Sequence, residues 1–377
     1  MAEQLLIVGG TARAAAHSAK RAGFAPLALD RYGDADLLAV CQTHCEIRHI
    51  TEACQAAPQF AGIPWIFTGP VENYADVVAS LCDISPLLGC SAAAVRSVRD
   101  PFRVAQALRA ASLLAPQVVC GEELPRRGKW LRKPVFSSGG ARIAPIALDG
   151  REPLSDGQAT YLQQRIAGLT CGATFVADGN RAKLIGVCEQ LIGESWTGCS
   201  GFHYAGSIGP LDLSVAQRRQ LVCVGNCLAQ NFRLRGLFGV DVILNADGVW
   251  PVEVNPRYTA SVEILERALS FAGIAAHVTA CRAEKLPEIP PVRSDVVCGK
   301  AIVYATRQFT VSSTDARTLL DSNDANSAPR IADLPKPGTT IRTGQPVVSV
   351  FADGGCMAEV KDRLRERGMQ VSALLRC

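Results

Sequence analysis

The stretch GLFGVDVILNADGVWPVEVNPRYTAS, residues 236–261, predicts more about the fold than any other part of the sequence. It contains two apolar strands joined by a turn at NADG, residues 245–248. Asp241 lies inside the first strand, and Glu253 and Asn255 close the second. Strand interiors seldom contain carboxylates, because burying an unpaired charge is costly. Oxygen ligands that converge across a hairpin suit a magnesium ion that bridges nucleotide phosphates. The pattern predicts a metal site at these three residues, with the exposed face of an edge strand as the alternative.

A second polar pattern lies upstream of this hairpin. Residues 130–136, WLRKPVF, predict a strand that carries Lys133, and a short loop follows it, formed by Ser137, Ser138, Gly139 and Gly140. Small residues let backbone N–H groups approach phosphate oxygens closely, and a lysine adds a fixed positive charge. The sequence has no GxxxxGK[ST] motif, so this is not a Walker loop. The pattern predicts a phosphate-binding strand and loop. An ordinary hairpin turn with a surface lysine is the alternative.

Together these segments resemble the ATP-grasp ligases. The hairpin resembles the metal-binding end of that family, and the Lys-Pro strand with its loop resembles the phosphate-binding part. Residues 160–168, TYLQQRIAG, are similar to the family's hinge strand, whose backbone contacts adenine. The resemblance therefore adds Gln163, Gln164 and Ile166 as nucleotide-binding candidates. It implies an ATP-grasp fold with ATP and Mg²⁺ (or Mn²⁺) as cofactors.

The resemblance also implies catalytic roles. Lys133 and the loop at 137–140 hold the phosphates, and Arg257 contacts the transferring phosphoryl group or the substrate carboxylate, since a guanidinium matches such oxygens. A surface arginine after a strand is the alternative for Arg257. Two features depart from the family: no acidic residue follows Gly168 to contact ribose, and the usual Asp-Lys pair is Asp100-Pro101 here. That second departure leaves Arg103 as the candidate for a second phosphate cation.

The order of predicted elements indicates an α/β protein in three parts. Residues 1–98 are expected to form a Rossmann-like domain that precedes the ATP-grasp domain of residues 99–286. Residues 287–377 are expected to form a small β-rich domain after a proline-rich linker at 287–291. Strands are predicted near residues 5–8, 26–30, 37–41 and 65–68, and a last helix at 356–367. Asp30 has the spacing of a dinucleotide-binding carboxylate, but the turn at 9–13 lacks the G-x-G-x-x-G pattern. A dinucleotide-binding oxidoreductase is therefore a disfavoured alternative.

Composition excludes several classes. The chain has 377 residues and a net charge of +4, and its basic residues are scattered, which argues against nucleic-acid and membrane-surface partners. No signal peptide and no apolar run of about 18 residues is evident, so a cytoplasmic location is expected. Fifteen cysteines without regular spacing argue against a disulfide framework. One cluster has loose spacing for zinc, and an incidental role is predicted for it: Cys41, His44, Cys45, His49 and Cys54.

The predicted function is ATP-dependent ligation of a carboxylate to an amine through an acyl phosphate, with small-molecule substrates. Over nearly its whole length the chain resembles predicted ATP-dependent carboligases related to the tyramine–glutamate ligase of methanofuran biosynthesis. This resemblance implies a glutamate–amine ligase in the biosynthesis of a one-carbon carrier cofactor, and a homodimer, which is common among relatives. Two other functions stay open: a biotin-carboxylase-like enzyme that activates bicarbonate, and a non-catalytic ATP-binding subunit. His203, near the expected acceptor pocket, is a candidate proton acceptor or a structural residue.

Overall fold

The computed structural model describes residues 1–120, 128–146, 159–283, 285–289, 295–323 and 328–375. The last two prolines of the predicted linker, Pro290 and Pro291, lie outside these residues.

The N-terminal segment forms a parallel sheet of four strands in the order β3-β2-β1-β4. The strands are β1 (Gln4–Val8), β2 (Ala25–Asp30), β3 (Thr43–Glu46) and β4 (Trp65–Phe67). The intervening and following helices are α1 (Arg13–Arg21), α2 (Ala35–Leu38), α3 (Ala53–Ala56), α4 (Ala75–Cys82) and α5 (Ala92–Val98). Every residue of β2 is buried, as expected for a central parallel strand covered on both faces.

The strand predicted near residues 37–41 is wrong. Residues 35–38 form α2, Leu37 is fully buried, and the third strand begins at Thr43. A short apolar run fits a helix turn as well as a strand, so periodicity alone could not separate the two.

Asp30 has a structural role at the carboxyl end of β2. Its Oδ2 accepts a hydrogen bond from Ala12 N at 2.9 Å, and its Oδ1 accepts from Tyr32 N and Gly33 N at 3.0 and 2.7 Å. Both oxygens are therefore used to hold the start of α1 and the following turn. This arrangement explains a buried carboxylate at the dinucleotide-like spacing without a ribose partner.

A small antiparallel sheet follows helix α6 (Pro101–Ala110). Its order is β5-β8-β6-β7, with the strands β5 (Val118–Cys120), β6 (Trp130–Pro134), β7 (Ala144–Ile146) and β8 (Thr160–Gln164). The side chain of Asp100 accepts hydrogen bonds from Phe102 N and Arg103 N, and Pro101 occupies the first turn. Asp100 therefore caps α6, and proline fits the first helical position, where no backbone N–H is needed.

A large sheet of eight described strands has the order β13-β12-β9-β10-β11-β14-β18-β16. Its strands, and the short pair β15–β17 beside it, are β9 (Leu169–Asp178), β10 (Ala182–Ile192), β11 (Tyr204–Gly209), β12 (Arg235–Asn245), β13 (Gly248–Asn255), β14 (Val297–Tyr304), β15 (Phe309–Thr310), β16 (Ile331–Ala332), β17 (Thr340–Ile341) and β18 (Pro346–Gly354). The helices are α7 (Val215–Phe232), α8 (Ala260–Leu269), α9 (Gly273–Ala283), α10 (Ser313–Asp321) and α11 (Met357–Leu375). The C-terminal strands thus extend the sheet of the central segment through β11 and β14. The division into three domains stays a prediction.

A buried ionic cluster joins the N-terminal, central and C-terminal segments. Arg13 of α1 binds Glu263 of α8 through both Nη atoms, and its Nε donates to Asp333 Oδ1 at 2.9 Å. Lys300 of β14 lies 3.0 Å from Glu263 Oε2 and 3.6 Å from Asp333 Oδ2. Since Arg13 is only 2% exposed, water cannot stabilise its charge, and the opposite charges of the cluster stabilise one another instead.

Among the described residues, no individual helix has the length and apolarity needed to cross a membrane. Helices α8 and α9 meet that test only as a pair, and they are bent by 109° at the break between them.

Candidate nucleotide and metal site

The β12–β13 hairpin brings its three polar residues to one face. Asp241 is directly opposite Glu253 in the register, and Gly239 is opposite Asn255. Because side chains two positions apart on a strand point the same way, Glu253 and Asn255 share the face of Asp241. Asn255 Nδ2 lies 3.4 Å from Asp241 Oδ2. The structure therefore places Asp241, Glu253 and Asn255 together, as the sequence predicted.

The two carboxylates of the hairpin differ in acidity. Burial and, after it, the charge of Glu253 raise the pKa of Asp241 to about 6, against a hydrogen bond from Gln190 and nearby cations, which act to lower it. Burial also acts to raise the pKa of Glu253, but Arg99 and Lys133 outweigh it, so that pKa is lowered. Two facing carboxylates repel each other, and a divalent cation between them relieves that repulsion. The donor set fits Mg²⁺ or Mn²⁺.

The same face holds few protein ligands. Among the described residues, no group of three or more His, Cys, Asp and Glu side chains is placed to hold a metal ion. Two carboxylates and one amide are what Mg²⁺ uses when substrate phosphates and water complete its shell.

In the cysteine-rich segment, His44 Nε2 lies 3.2 Å from Asp30 Oδ1, and His49 Nε2 lies 3.1 Å from Tyr74 Oη. Those histidines have protein partners.

Lys133 of β6 reaches the hairpin from the small sheet. Its Nζ donates to Gln163 Oε1 at 3.2 Å and to Val252 O at 3.3 Å, and Gln163 Nε2 donates to Val252 O at 3.1 Å. Burial lowers the pKa of Lys133, but Tyr161, Glu253 and other anionic groups raise it by more. The lysine therefore remains charged beside the carboxylate pair, where it can bind a phosphate.

The loop at 137–140 is anchored on two sides. Asn73 Nδ2 donates to Ser137 O at 3.1 Å, and Tyr204 N donates to Gly139 O at 3.0 Å. Gly139 and Gly140 have φ angles of +64° and +75°. A Cβ on Gly140 would overlap the carbonyl oxygen of Phe202, so glycine is needed there for close approach. Ser138 and Gly139 are exposed, as a loop that contacts a ligand requires.

A cavity of about 40 Å³ lies between the small sheet, helix α6 and the hairpin. Its charged and polar lining comes from Arg99, Lys133, Ser137, Tyr161, Gln163 and Glu253, and its apolar lining includes Val98, Val104, Leu108 and Val118. The lining thus combines charged and polar side chains with aliphatic ones, which suits the phosphates and the base of a nucleotide.

The hinge candidates divide into two groups. Gln163 lines the cavity, whereas Gln164 is bonded to Gln117, whose backbone N donates to Gln164 Oε1 at 3.1 Å. Strand β8 ends at Gln164, so Ile166 lies in the connection to β9 rather than in the strand. Their contacts with adenine stay predictions.

Arg257 is held by an acidic residue that the sequence analysis missed. Its Nε and Nη2 lie 2.8 and 2.7 Å from Glu72 Oε1, and its Nη2 donates to Asn255 Oδ1 at 3.3 Å. Glu72 is 2% exposed, and its Oε2 is buried with no hydrogen-bond partner among the described residues. Arg257 is thus a partly buried side chain beside the candidate metal ligands rather than a surface arginine.

The sequence analysis also missed Arg99. Arg103, the candidate for a second phosphate cation, is exposed on α6. Arg99 instead donates to Glu253 Oε1 at 2.7 Å and lines the cavity. The only local signal was its position directly before the Asp100-Pro101 helix start, which says nothing about the strand that it contacts.

Comparison with known proteins identifies the central domain. Residues 98–261 match the family model described as the ATP-grasp domain. Residues 98–261 form an ATP-grasp domain. This range contains Lys133, the loop at 137–140 and the β12–β13 hairpin, so the resemblance of those segments to the ATP-grasp family is confirmed.

Whole-chain similarities agree with the ATP-grasp fold. An L-amino acid ligase from Bacillus licheniformis superposes with a TM-score of 0.71 at 14% identity, covering 97% of this chain and 96% of that one. The biotin carboxylase domain dimer of a 2-oxoglutarate carboxylase from Hydrogenobacter thermophilus, solved with MgADP, ADP and bicarbonate, gives 0.71 at 12% identity, covering 97% and 89%. These likenesses confirm the predicted fold class.

Among curated proteins, the chain is 25% identical over 223 residues to an uncharacterized protein of Methanocaldococcus jannaschii. The match covers 58% of this chain, which spans about half (50%) of that relative's length.

Proposed function

We propose that this chain is an ATP-dependent ligase that joins a carboxylate to an amine and releases ADP and phosphate. One observation carries the proposal: Lys133 of the small sheet and Glu253 of the hairpin line one cavity, with Lys133 Nζ 3.3 Å from Val252 O, and Asp241 is paired with Glu253 across the hairpin. A buried cation beside two carboxylates supplies both the phosphate contact and the metal ligands that ATP chemistry requires. The ATP-grasp domain supports the same conclusion.

The chemistry needs an activated acid. A carboxylate is a poor acyl donor because its leaving group would be oxide. Transfer of the γ-phosphoryl group gives an acyl phosphate, and the amine then displaces phosphate to form the amide. The residues of this chain act mainly by positioning and by neutralising charge.

Each candidate has a role in that scheme. Lys133 and the backbone of residues 137–140 bind the phosphates. Asp241, Glu253 and Asn255 hold Mg²⁺ or Mn²⁺, which neutralises phosphate charge when bound. Arg257, fixed against Glu72 and Asn255, is placed to bind oxygens of the substrate carboxylate or of the phosphoryl group.

The substrate proposal is finer. The resemblance to the tyramine–glutamate ligase group supports glutamate as the carboxylate and a primary amine as the acceptor, in the biosynthesis of a one-carbon carrier cofactor. The similarity in fold to an L-amino acid ligase is compatible with an amino acid at this site. We also propose a homodimer, as in the dimeric biotin carboxylase domain that shares the fold.

The test is ATP turnover with magnesium, following ADP, AMP and phosphate against pools of amino acids, amines and bicarbonate. The proposal expects ADP and phosphate only when an amino acid and an amine are both present, and loss of turnover in Glu253→Gln. Turnover that needs bicarbonate and no amino acid would identify a carboxylase-type enzyme instead. AMP formation, or tight ATP binding without turnover in any pool, would refute the acyl phosphate scheme.

A further inference from the structure

Arg99 lies where α5, α6, β13 and the loop at 137–140 meet. It ends α5, directly before α6, and its side chain lies in the cavity with Lys133, Gln163 and Glu253. The side chain is 8% exposed. A buried guanidinium that lines a cavity cannot be a solvated surface charge, so its partners decide its role.

The guanidinium has weak and strong partners. Nη1 donates to Glu253 Oε1 at 2.7 Å, whereas its contact with Val254 O is 3.4 Å long. Nη2 contacts Asn73 Oδ1 at 3.2 Å and Ser137 O at 3.4 Å. The Nε atom is buried and has no hydrogen-bond partner in the part of the chain that the structure describes. Arg99 thus makes one strong bond, to a candidate metal ligand, and several long contacts. It leaves one N–H donor unused, so its hydrogen-bonding capacity is incompletely used.

The position also completes a charge pattern. Pro101 provides no charge at the start of α6, and Arg103 is exposed. Arg99 approaches the carbonyl of Ser137, the first residue of the candidate phosphate loop. Lys133 lies in the same cavity. Two cations and a glycine-rich loop around one cavity are suited to a chain of phosphates.

We propose that Arg99 is a second phosphate-binding residue of this chain, and that nucleotide binding moves its guanidinium from Glu253 to a phosphate. The exchange frees Glu253 to bind the metal ion and gives the unused Nε a partner. Without nucleotide, Arg99 competes with the metal for Glu253. This inference rests on the proposed binding of ATP, and it assigns to Arg99 the role that the sequence suggested for Arg103.

The first measurement is the affinity for MgADP and for adenosine by calorimetry. It compares the wild type with Arg99→Gln, Arg99→Lys, Arg103→Gln and the exposed control Arg96→Gln. Arg99→Gln is expected to weaken MgADP binding about 10- to 100-fold, the range for a lost charge-assisted hydrogen bond. Adenosine affinity should stay unchanged, because adenosine has no phosphate. Arg99→Lys should recover part of the loss, and Arg103→Gln and Arg96→Gln should bind as the wild type does.

The second measurement is Mn²⁺ binding to the nucleotide-free protein by electron paramagnetic resonance. Arg99→Gln is expected to tighten Mn²⁺ binding, because Glu253 loses a competing cation. A residue that only supports the fold would give the opposite result, with Mn²⁺, adenosine and MgADP all bound more weakly.

The outcomes separate the two proposals. If the wild type binds MgADP and Arg99→Gln binds it equally well, or if Arg103→Gln shows the loss instead, the assignment of Arg99 is wrong and the ligase proposal stands. If the wild type binds neither ATP nor ADP with magnesium, the proposed function itself fails.

Discussion

Replacing Arg13 with glutamine is expected to destabilise the whole chain, because this residue neutralises carboxylates from two other segments. Arg13 binds Glu263 of α8 and Asp333 of the C-terminal segment, and it is 2% exposed. Glutamine retains hydrogen-bonding groups but loses the charge. The substitution therefore leaves buried Glu263 and partly buried Asp333 with Lys300 as their remaining near cation among the described residues.

The size of the effect follows from the acidity of Glu263. Burial acts to raise the pKa of this carboxyl, but Arg13 and then Lys300 lower it from 4.5 to about 2. A difference of about 2.5 units corresponds to about 3 kcal/mol of folding free energy. Removal of one partner from a buried ion pair costs about 3–5 kcal/mol in general. Since Lys300 keeps part of the stabilisation, we expect about 3 kcal/mol.

The assay is urea unfolding followed by circular dichroism and by tryptophan fluorescence, whose coincidence justifies a single free energy. Arg21→Gln is the matched control, because Arg21 also links α1 to α8, through Glu266, but is 49% exposed. That change should cost at most about 1 kcal/mol. The Glu263 pKa is lowered in the folded state, so its stabilisation exists above 4.5 and is lost as pH falls towards 2. The gap between wild type and Arg13→Gln should shrink over that window. Equal stability of the two arginine variants at neutral pH would refute the reasoning.

Three further predictions concern single residues. Asp34→Asn should stabilise the protein at neutral pH, because burial raises the pKa of Asp34 to about 9 and the folded protein loses stability as pH rises above the unfolded pKa of 3.8. Near pH 3.8 the substitution should give no gain. The gain is at most about 4 kcal/mol, and thermal melts at both pH values measure it. MgADP binding should weaken as pH falls through about 6, where Asp241 protonates, and a pH-independent affinity from calorimetry would contradict this. Gly140→Ala should weaken MgADP binding about tenfold more than Gly139→Ala. Both glycines have positive φ, but only a Cβ on Gly140 would overlap Phe202. Equal affinities of the two variants would contradict this.

The β12–β13 hairpin could be predicted from sequence because its turn is local. The turn at 245–248 pairs Asn245 with Gly248 and Val242 with Pro251, and a one-residue register shift then brings Glu253 rather than Val252 opposite Asp241. That shift could not be predicted from the turn. The starts of α6 and α7 follow equally local capping rules, because the side chains of Asp100 and Ser214 accept hydrogen bonds from backbone N–H groups of the first helical turn.

Contacts between distant segments could not be predicted in this way. Arg99 and Glu253 are 154 positions apart, and Arg257 and Glu72 are 185 apart. No local periodicity indicates which helix end packs on which strand. The same limit explains the last helix, expected to end at 367 but continuing to Leu375. Gly368 lies inside α11, where a Cβ would come 2.9 Å from Trp196.

The charges of the candidate site explain why nucleotide binding requires rearrangement there. Three cations, Arg99, Lys133 and Arg257, face three carboxylates, Asp241, Glu253 and Glu72, so the formal charges cancel. Arg99 is paired with Glu253, and Arg257 with Glu72. A metal–nucleotide complex brings both signs of charge, so it can bind strongly only if cations turn to phosphates and carboxylates turn to the metal. The 2.7 Å bond between Arg99 and Glu253 joins one member of each set. Its exchange therefore couples metal binding to phosphate binding, and neither ligand alone should bind as tightly as both together.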